Sequence, residues 1–121
     1  MELETVPYSL TVCKAASASD IDLAAPCYFI GRTDEELSLV CRSEEVPAGV
    51  TEREDGWRGF RIRGRLDFSA VGILAALTGV LAGRGIGLFA VSTFNTDYIL
   101  VKERDFARAL EALAAEGYGI L

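Results

Sequence analysis

The strongest constraint on the fold lies in residues 57–121, where two helical patterns alternate with four strand patterns. Apolar residues recur at helical spacing after Asp67 and again from Glu103 to Glu116, and glycines follow each run. The strand patterns are Trp57–Leu66, Ile86–Thr93, Asp97–Lys102 and Tyr118–Leu121. The predicted order is therefore β-α-β-β-α-β.

This order predicts the α+β class with a ferredoxin-like fold, in which two helices cover one face of a four-stranded antiparallel sheet. The first half reads as a degenerate copy with three strands, Tyr8–Lys14, Cys27–Arg32 and Leu37–Arg42. Between the halves, Ser43–Gly56 combines a proline, glycines and many carboxylates, which predicts a linker. We therefore predict two domains, residues 1–56 and residues 57–121.

The charge and the hydropathy of the chain exclude several classes of partner. A net charge of −6 would repel a phosphate backbone, so we expect no nucleic-acid partner. The chain has no apolar run near the roughly 20 residues that span a bilayer, so we expect no membrane partner. Its first residues are acidic, unlike a secretory leader, and we expect a cytoplasmic protein.

The chain contains no histidine, which removes the commonest general base and the commonest metal ligand. Its cysteines, Cys13, Cys27 and Cys41, lie in apolar surroundings without the Cys-x-x-Cys spacing of metal or redox sites. We interpret them as reduced core thiols. The sequence thus predicts no catalytic residue, no metal and no cofactor.

A candidate binding site follows from the predicted topology. The first and third strands of the fold are antiparallel, so the loops Asp67–Gly72 and Ser92–Asp97 should meet at one edge of the sheet. Backbone N–H groups at a helix start would bind a carboxylate, and a strand-end Asp97 would accept from an ammonium. An amino-acid zwitterion suits this pair, with the helix-start amides of Ala70, Val71, Gly72 and Ile73 and the hydroxyls of Thr93 and Thr96 as further partners.

The same residues have an ordinary structural interpretation. Asp67 and Ser69 are common helix caps, and Asn95-Thr96-Asp97 is common turn chemistry. The spacing alone leaves both interpretations open.

Two segments carry a resemblance to a known family, Leu66–Leu74 (LDFSAVGIL) and, more specifically, Ser92–Val101 (STFNTDYILV). They resemble the ACT domains, in particular the tandem ACT proteins related to the regulatory half of aspartate kinases and to the CASTOR arginine sensors. The resemblance implies allosteric binding of a small amino acid between two ACT units, in a homodimer that regulates a protein partner. The implied ligand-binding residues are Asp67, Ser69, Ala70, Val71, Gly72, Ile73, Thr93, Phe94, Thr96 and Asp97.

The sequence departs from the arginine-sensing pattern at two positions. Ala70 stands where the arginine sensors carry a carboxylate, and Thr96 stands where they carry an aromatic residue. We therefore expect a smaller or neutral amino acid as the ligand. Two alternatives remain: a plain interaction or oligomerisation module without a ligand, and an enzyme that uses Asp97, Tyr98 and arginine residues.

Overall fold

The computed structural model describes residues 1–26 and 29–121 and contains two compact units. The larger unit comprises Met1–Pro7 and Arg58–Leu121, and the smaller unit comprises Tyr8–Trp57. The strands are β1 Glu2–Ala15, β2 Phe29–Arg32, β3 Leu37–Arg42, β4 Val50–Ile62, β5 Phe89–Ser92, β6 Asp97–Lys102 and β7 Gly119–Ile120. The helices are α1 Ile73–Gly83 and α2 Glu103–Ala115, with short 3₁₀ turns at Ala18–Asp20 and Ser43–Glu45. Strands β1 and β4 each contribute residues to both units.

The larger unit has the predicted order, since β4, α1, β5, β6, α2 and β7 follow one another along the chain. This confirms the ferredoxin-like α+β fold. Strands β5 and β6 form an antiparallel hairpin, and both helices pack on the same core as β4 and β6. The buried residues of that core include Phe60, Ile62, Leu77, Leu81, Ile99, Val101, Ala109 and Leu113.

The sheet of the larger unit contains one strand more than the four that the sequence predicted. The strand order is β5-β6-β4, then the start of β1, then β7, with β1 and β7 parallel. The prediction began this strand at Tyr8, but it begins at Glu2, and Leu3 is fully buried. Pro7 hid the pattern because proline cannot donate to a strand ladder and normally marks the end of a strand.

The smaller unit contains the predicted hairpin of β2 and β3, although residues 27 and 28 of the predicted second strand lie outside the described residues. The linker prediction is wrong, because β4 begins at Val50 and runs through the second half of that segment. Its charges lie on exposed strand positions, where Glu52 pairs with Lys14 at 3.3 Å and Asp55 pairs with Arg53 at 2.9 Å. Exposed charge patterns alone therefore do not separate a strand from a loop.

The two units do not coincide with the predicted domains, which met between residues 56 and 57. The first seven residues belong to the larger unit, and the smaller unit is inserted between two parts of it. The described part of the smaller unit contains no α-helix. Its relation to a degenerate ACT copy stays a prediction.

Cys13 and Cys41 are buried free thiols in the smaller unit, as predicted, and Cys27 lies outside the described residues. Burial raises the pKa of both thiols, and that of Cys41 rises to about 12. Within the described residues, no helix is both long enough and apolar enough to cross a membrane.

The same turn joins the hairpin strands in each unit. In the larger unit the amide of Thr93 donates to the carbonyl of Thr96 at 2.8 Å, and the Thr93 hydroxyl accepts from the Thr96 amide at 3.3 Å. In the smaller unit Thr33 and Glu36 make the corresponding bonds at 3.0 and 3.2 Å. The shared geometry places Leu37 in the position that Asp97 occupies in the larger unit.

Candidate functional site

The loop that precedes α1 and the turn between β5 and β6 meet in a cleft of about 290 Å³ within the larger unit. This is the meeting point that the topology predicted. Eight of the ten predicted site residues line the cleft: Asp67, Ala70, Gly72, Ile73, Thr93, Phe94, Thr96 and Asp97. Ser69 and Val71 do not line it. Six further residues line the cleft that were not named as binding residues: Phe68, Ser92 and Asn95, which lie in the two predicted loops, and Leu66, Leu74 and Ala75, which lie outside them.

Helix α1 begins later than predicted, which changes the amides at the cleft. Gly72 is its N-cap with φ +81, and the first bond of the helix runs from the Ala76 amide to the Gly72 carbonyl at 2.9 Å. The first-turn amides, those of Ile73, Leu74 and Ala75, precede that bond and need partners from outside the helix. The Ala70 amide is already bonded to the Asp67 carbonyl at 3.0 Å, so it is not one of them. Positive φ explains the glycine at position 72.

Asp67 and Ser69 shape the loop instead of capping the helix. One Asp67 carboxylate oxygen accepts from the Ser69 amide at 2.8 Å and from the Ser69 hydroxyl at 2.7 Å. These bonds stabilise the ionised carboxylate and lower the pKa of Asp67. The sequence could not separate the two roles because an aspartate two residues before a serine suits a local turn as well as a cap.

Three hydrogen bonds fix the cleft: one joins its two walls, one ties the β5–β6 turn to β4, and one lies within that turn. The Leu66 amide donates to the Asn95 carbonyl at 2.7 Å, and the Thr96 hydroxyl donates to the Ile62 carbonyl at 2.7 Å. The Thr93 hydroxyl donates to the Thr96 carbonyl at 2.9 Å. Both threonine hydroxyl protons, which the prediction assigned to a ligand, are therefore used within the protein.

Asp97 is the carboxylate at the start of β6 and is partly exposed in the cleft. Its Oδ1 accepts from the Ser92 hydroxyl at 2.6 Å. An ionised carboxylate has about four acceptor positions, so this bond leaves capacity for an ammonium. Sequence reasoning could have found Ser92, which directly faces Asp97 in the β5–β6 register.

Two aromatic rings form the rim of the cleft. Phe68 and Phe94 lie edge to face with their ring centroids 5.0 Å apart. They also line a neighbouring cleft of about 380 Å³ together with Arg65, Leu66 and Asp67. Of these, Asp67 and Phe94 belong to the predicted site, whereas Arg65, Leu66 and Phe68 were not among the predicted binding residues.

Comparisons with known proteins point to one family. The ACT domain model matches residues 52–115. A human protein, cytosolic arginine sensor for mTORC1 subunit 1, is 38% identical over 126 residues, which cover 98% of this chain and 38% of that protein. The chain thus spans well under half the length of this relative.

Solved structures agree with the fold. Protein Atu0741 from Agobacterium tumefaciens is 31% identical with a TM-score of 0.85, and the match covers 99% of this chain and 91% of that protein. The aspartokinase alpha and beta subunits align with a TM-score of 0.62 over 93% of this chain and 95% of that chain. Their identity is 14%, so this likeness concerns the fold alone.

Proposed function

The chain belongs to the ACT domain family, as its motifs indicated, and we propose that it is a regulatory protein that binds a free amino acid without catalysing a reaction. The binding site in this proposal is the cleft between the start of α1 and the β5–β6 turn. The family match and the likeness to a named amino-acid sensor support this role.

One observation carries the proposal: groups of opposite polarity line the same cleft. The first-turn amides of α1 present partial positive charge, which favours a carboxylate. The Asp97 carboxylate lines the cleft as well and favours an ammonium. An α-amino acid carries both groups on one carbon, so a single small molecule satisfies both walls.

We propose a neutral amino acid as the ligand instead of arginine. The human relative is named for arginine sensing, but residues 70 and 96 of this chain are alanine and threonine, without the carboxylate and the aromatic ring of the arginine-sensing pattern. Thr96 is also only 7% exposed. A guanidinium ligand would therefore lack an acidic partner at position 70.

The proposal includes a homodimer, a regulated protein partner and a cytoplasmic location. Helix α1 contains no charged residue, and the side of it away from the core exposes Ala75, Ala76, Gly79 and Ala82. A helix that is apolar on all sides is normally covered, so this surface supports contact with a second copy. The name of the human relative, a cytosolic sensor, supports the location.

A thermal-shift screen against the twenty amino acids tests the function. A ligand that binds only the folded state stabilises it by RT ln(1 + [L]/Kd), about 2.7 kcal/mol at a hundredfold excess over Kd. Asp97→Asn keeps the shape and removes the charge, and we expect it to weaken binding by roughly 10- to 100-fold. Asp34→Asn is the matched control, because Asp34 lies in the equivalent turn of the smaller unit and does not line the cleft.

Two results would contradict the proposal. If no amino acid at millimolar concentration stabilises the protein, the chain is better explained as a plain interaction module. The exposure of Val71 at 93% and Met1 at 54% favours that alternative, since such apolar residues suit a protein contact. If the protein turns over the amino acid and Asp97→Asn abolishes turnover, the chain is an enzyme.

A further inference from the structure

A second cleft adjoins the candidate site, and the two aromatic rings line both clefts. The clefts share Leu66, Asp67, Phe68 and Phe94 as walls. If the first cleft binds the ammonium and carboxylate of an amino acid, the side chain of that amino acid is free to enter the second cleft. The lining of the second cleft therefore bears on ligand selectivity.

The Phe68 and Phe94 rings are unusually exposed for aromatic side chains. Phe68 is 76% exposed and Phe94 is 64% exposed, and neither belongs to the hydrophobic core of the larger unit. Adjacent exposed aromatic residues on a small protein commonly mark a binding surface, because they favour an apolar occupant. The Leu66 amide bonds to the Asn95 carbonyl at 2.7 Å, which joins the two segments that carry the rings.

The charges of the second cleft favour a neutral occupant. Arg65 and Asp67 line it, so their formal charges cancel. The Arg65 guanidinium lies over the Phe94 ring, 5.0 Å from its centroid. A cation or an anion would each meet one like and one opposite charge and so gain no net attraction, and the Phe94 ring face that a cation would use is already covered by Arg65.

We infer that Phe68 and Phe94 form a side-chain subsite, and that the ligand is an amino acid with a large apolar side chain. This inference rests on the proposed function and deepens it. Phe68 acts as a specificity-determining residue, because its ring contributes to both clefts without a bond to the ammonium or carboxylate positions. Phe94 provides the second wall and, beneath Arg65, is the less accessible of the two rings.

Titration calorimetry with the full chain tests the subsite. We expect phenylalanine and leucine to bind at least about 10-fold more tightly than alanine, glutamate and arginine, since a buried apolar side chain contributes that much or more. Phe68→Ala should reduce the affinity for phenylalanine and leucine by about 10-fold while changing that for alanine by less than about 2-fold. Phe68→Leu should retain much of the preference. Leu23→Ala, which shortens a residue that is 78% exposed in the smaller unit, is the matched control and should change neither affinity.

The possible failures are distinguishable. If no amino acid binds the wild-type protein, the proposed function fails and the inference fails with it. If amino acids bind in an Asp97-dependent way but alanine, glutamate or arginine binds as tightly as phenylalanine, only the inference is overturned. It is also overturned if Phe68→Ala converts a dimer to a monomer in sedimentation and leaves ligand preference unchanged, because a second copy then covers the rings in the wild-type protein.

Discussion

Replacing Thr96 by valine tests the bond that ties the β5–β6 turn, one wall of the cleft, to the end of β4. Valine keeps the shape of threonine and removes the hydroxyl that donates to the Ile62 carbonyl at 2.7 Å. Thr96 is 7% exposed and Ile62 is fully buried, so water does not readily replace the lost donor. Leaving a buried carbonyl without its partner costs about 1–3 kcal/mol of unfolding free energy. We therefore expect Thr96→Val to destabilise the protein by about 2 kcal/mol.

Urea unfolding followed by circular dichroism measures this change. With a slope near 2 kcal/mol per molar urea, a loss of about 2 kcal/mol lowers the midpoint by about 1 M. Thr96→Ser is the control, because serine keeps the hydroxyl and loses only a methyl group. The reasoning is refuted if valine is as stable as threonine, or if serine is destabilised as strongly as valine.

Two further predictions concern other parts of the chain. Gly79→Glu should convert the proposed dimer to a monomer in sedimentation velocity, because a charge on the outer side of α1 opposes an apolar contact. A Cβ at Gly79 meets no atom within 4 Å, so the variant should still fold. Ala114→Glu on the exposed side of α2 is the control and should leave the mass of the assembly unchanged. A dimer that persists in Gly79→Glu contradicts the proposed surface. In a Cys27→Ser background, Cys13 and Cys41 should resist a thiol reagent until urea unfolds the protein, because burial raises both pKa values and keeps the thiols protonated at neutral pH. Rapid labelling of the native protein would contradict this.

The elements that could be predicted are those in which apolar spacing agrees with the final packing. Helix α2 was predicted to begin at Glu103, as observed, and its buried residues Ala109 and Leu113 recur at helical spacing. The end of helix α1 was also predicted correctly, from the glycines that follow its apolar residues. Gly85 has φ +70 and its amide bonds to the Ala82 carbonyl at 3.0 Å, a conformation that favours glycine at a helix end.

The elements that were missed depend on contacts between residues far apart in sequence. The start of β1 forms because Leu3 pairs with Ile120, more than a hundred residues away, and local patterns carry no sign of that partner. Similarly, the charged segment of β4 is a strand because Lys14 and other residues of β1 lie beside it. Local sequence reports such pairing only weakly, since strand formation depends on neighbours.

The candidate site was predicted at the level of chain segments and less well at the level of atoms. The antiparallel relation of two strands was enough to bring Asp67 and Asp97 to one cleft. The bond from the Thr96 hydroxyl to the Ile62 carbonyl was not anticipated, because hydroxyl direction depends on the tertiary neighbour. The start of α1 was misplaced for a related reason, as Asp67 and Ser69 form a local turn that has the residue pattern of a cap.

The discontinuous path of the chain limits how this protein can be dissected. The larger unit needs Met1–Pro7 as well as Arg58–Leu121, whereas the ACT domain match begins at residue 52. A fragment designed from the match alone would lack the strand that lies between β4 and β7, including the fully buried Leu3. Such a fragment would also lack β7, would leave one edge of β4 unpaired and is expected to aggregate. Gene fusions and truncations of this protein should therefore treat its amino terminus as part of the carboxy-terminal half.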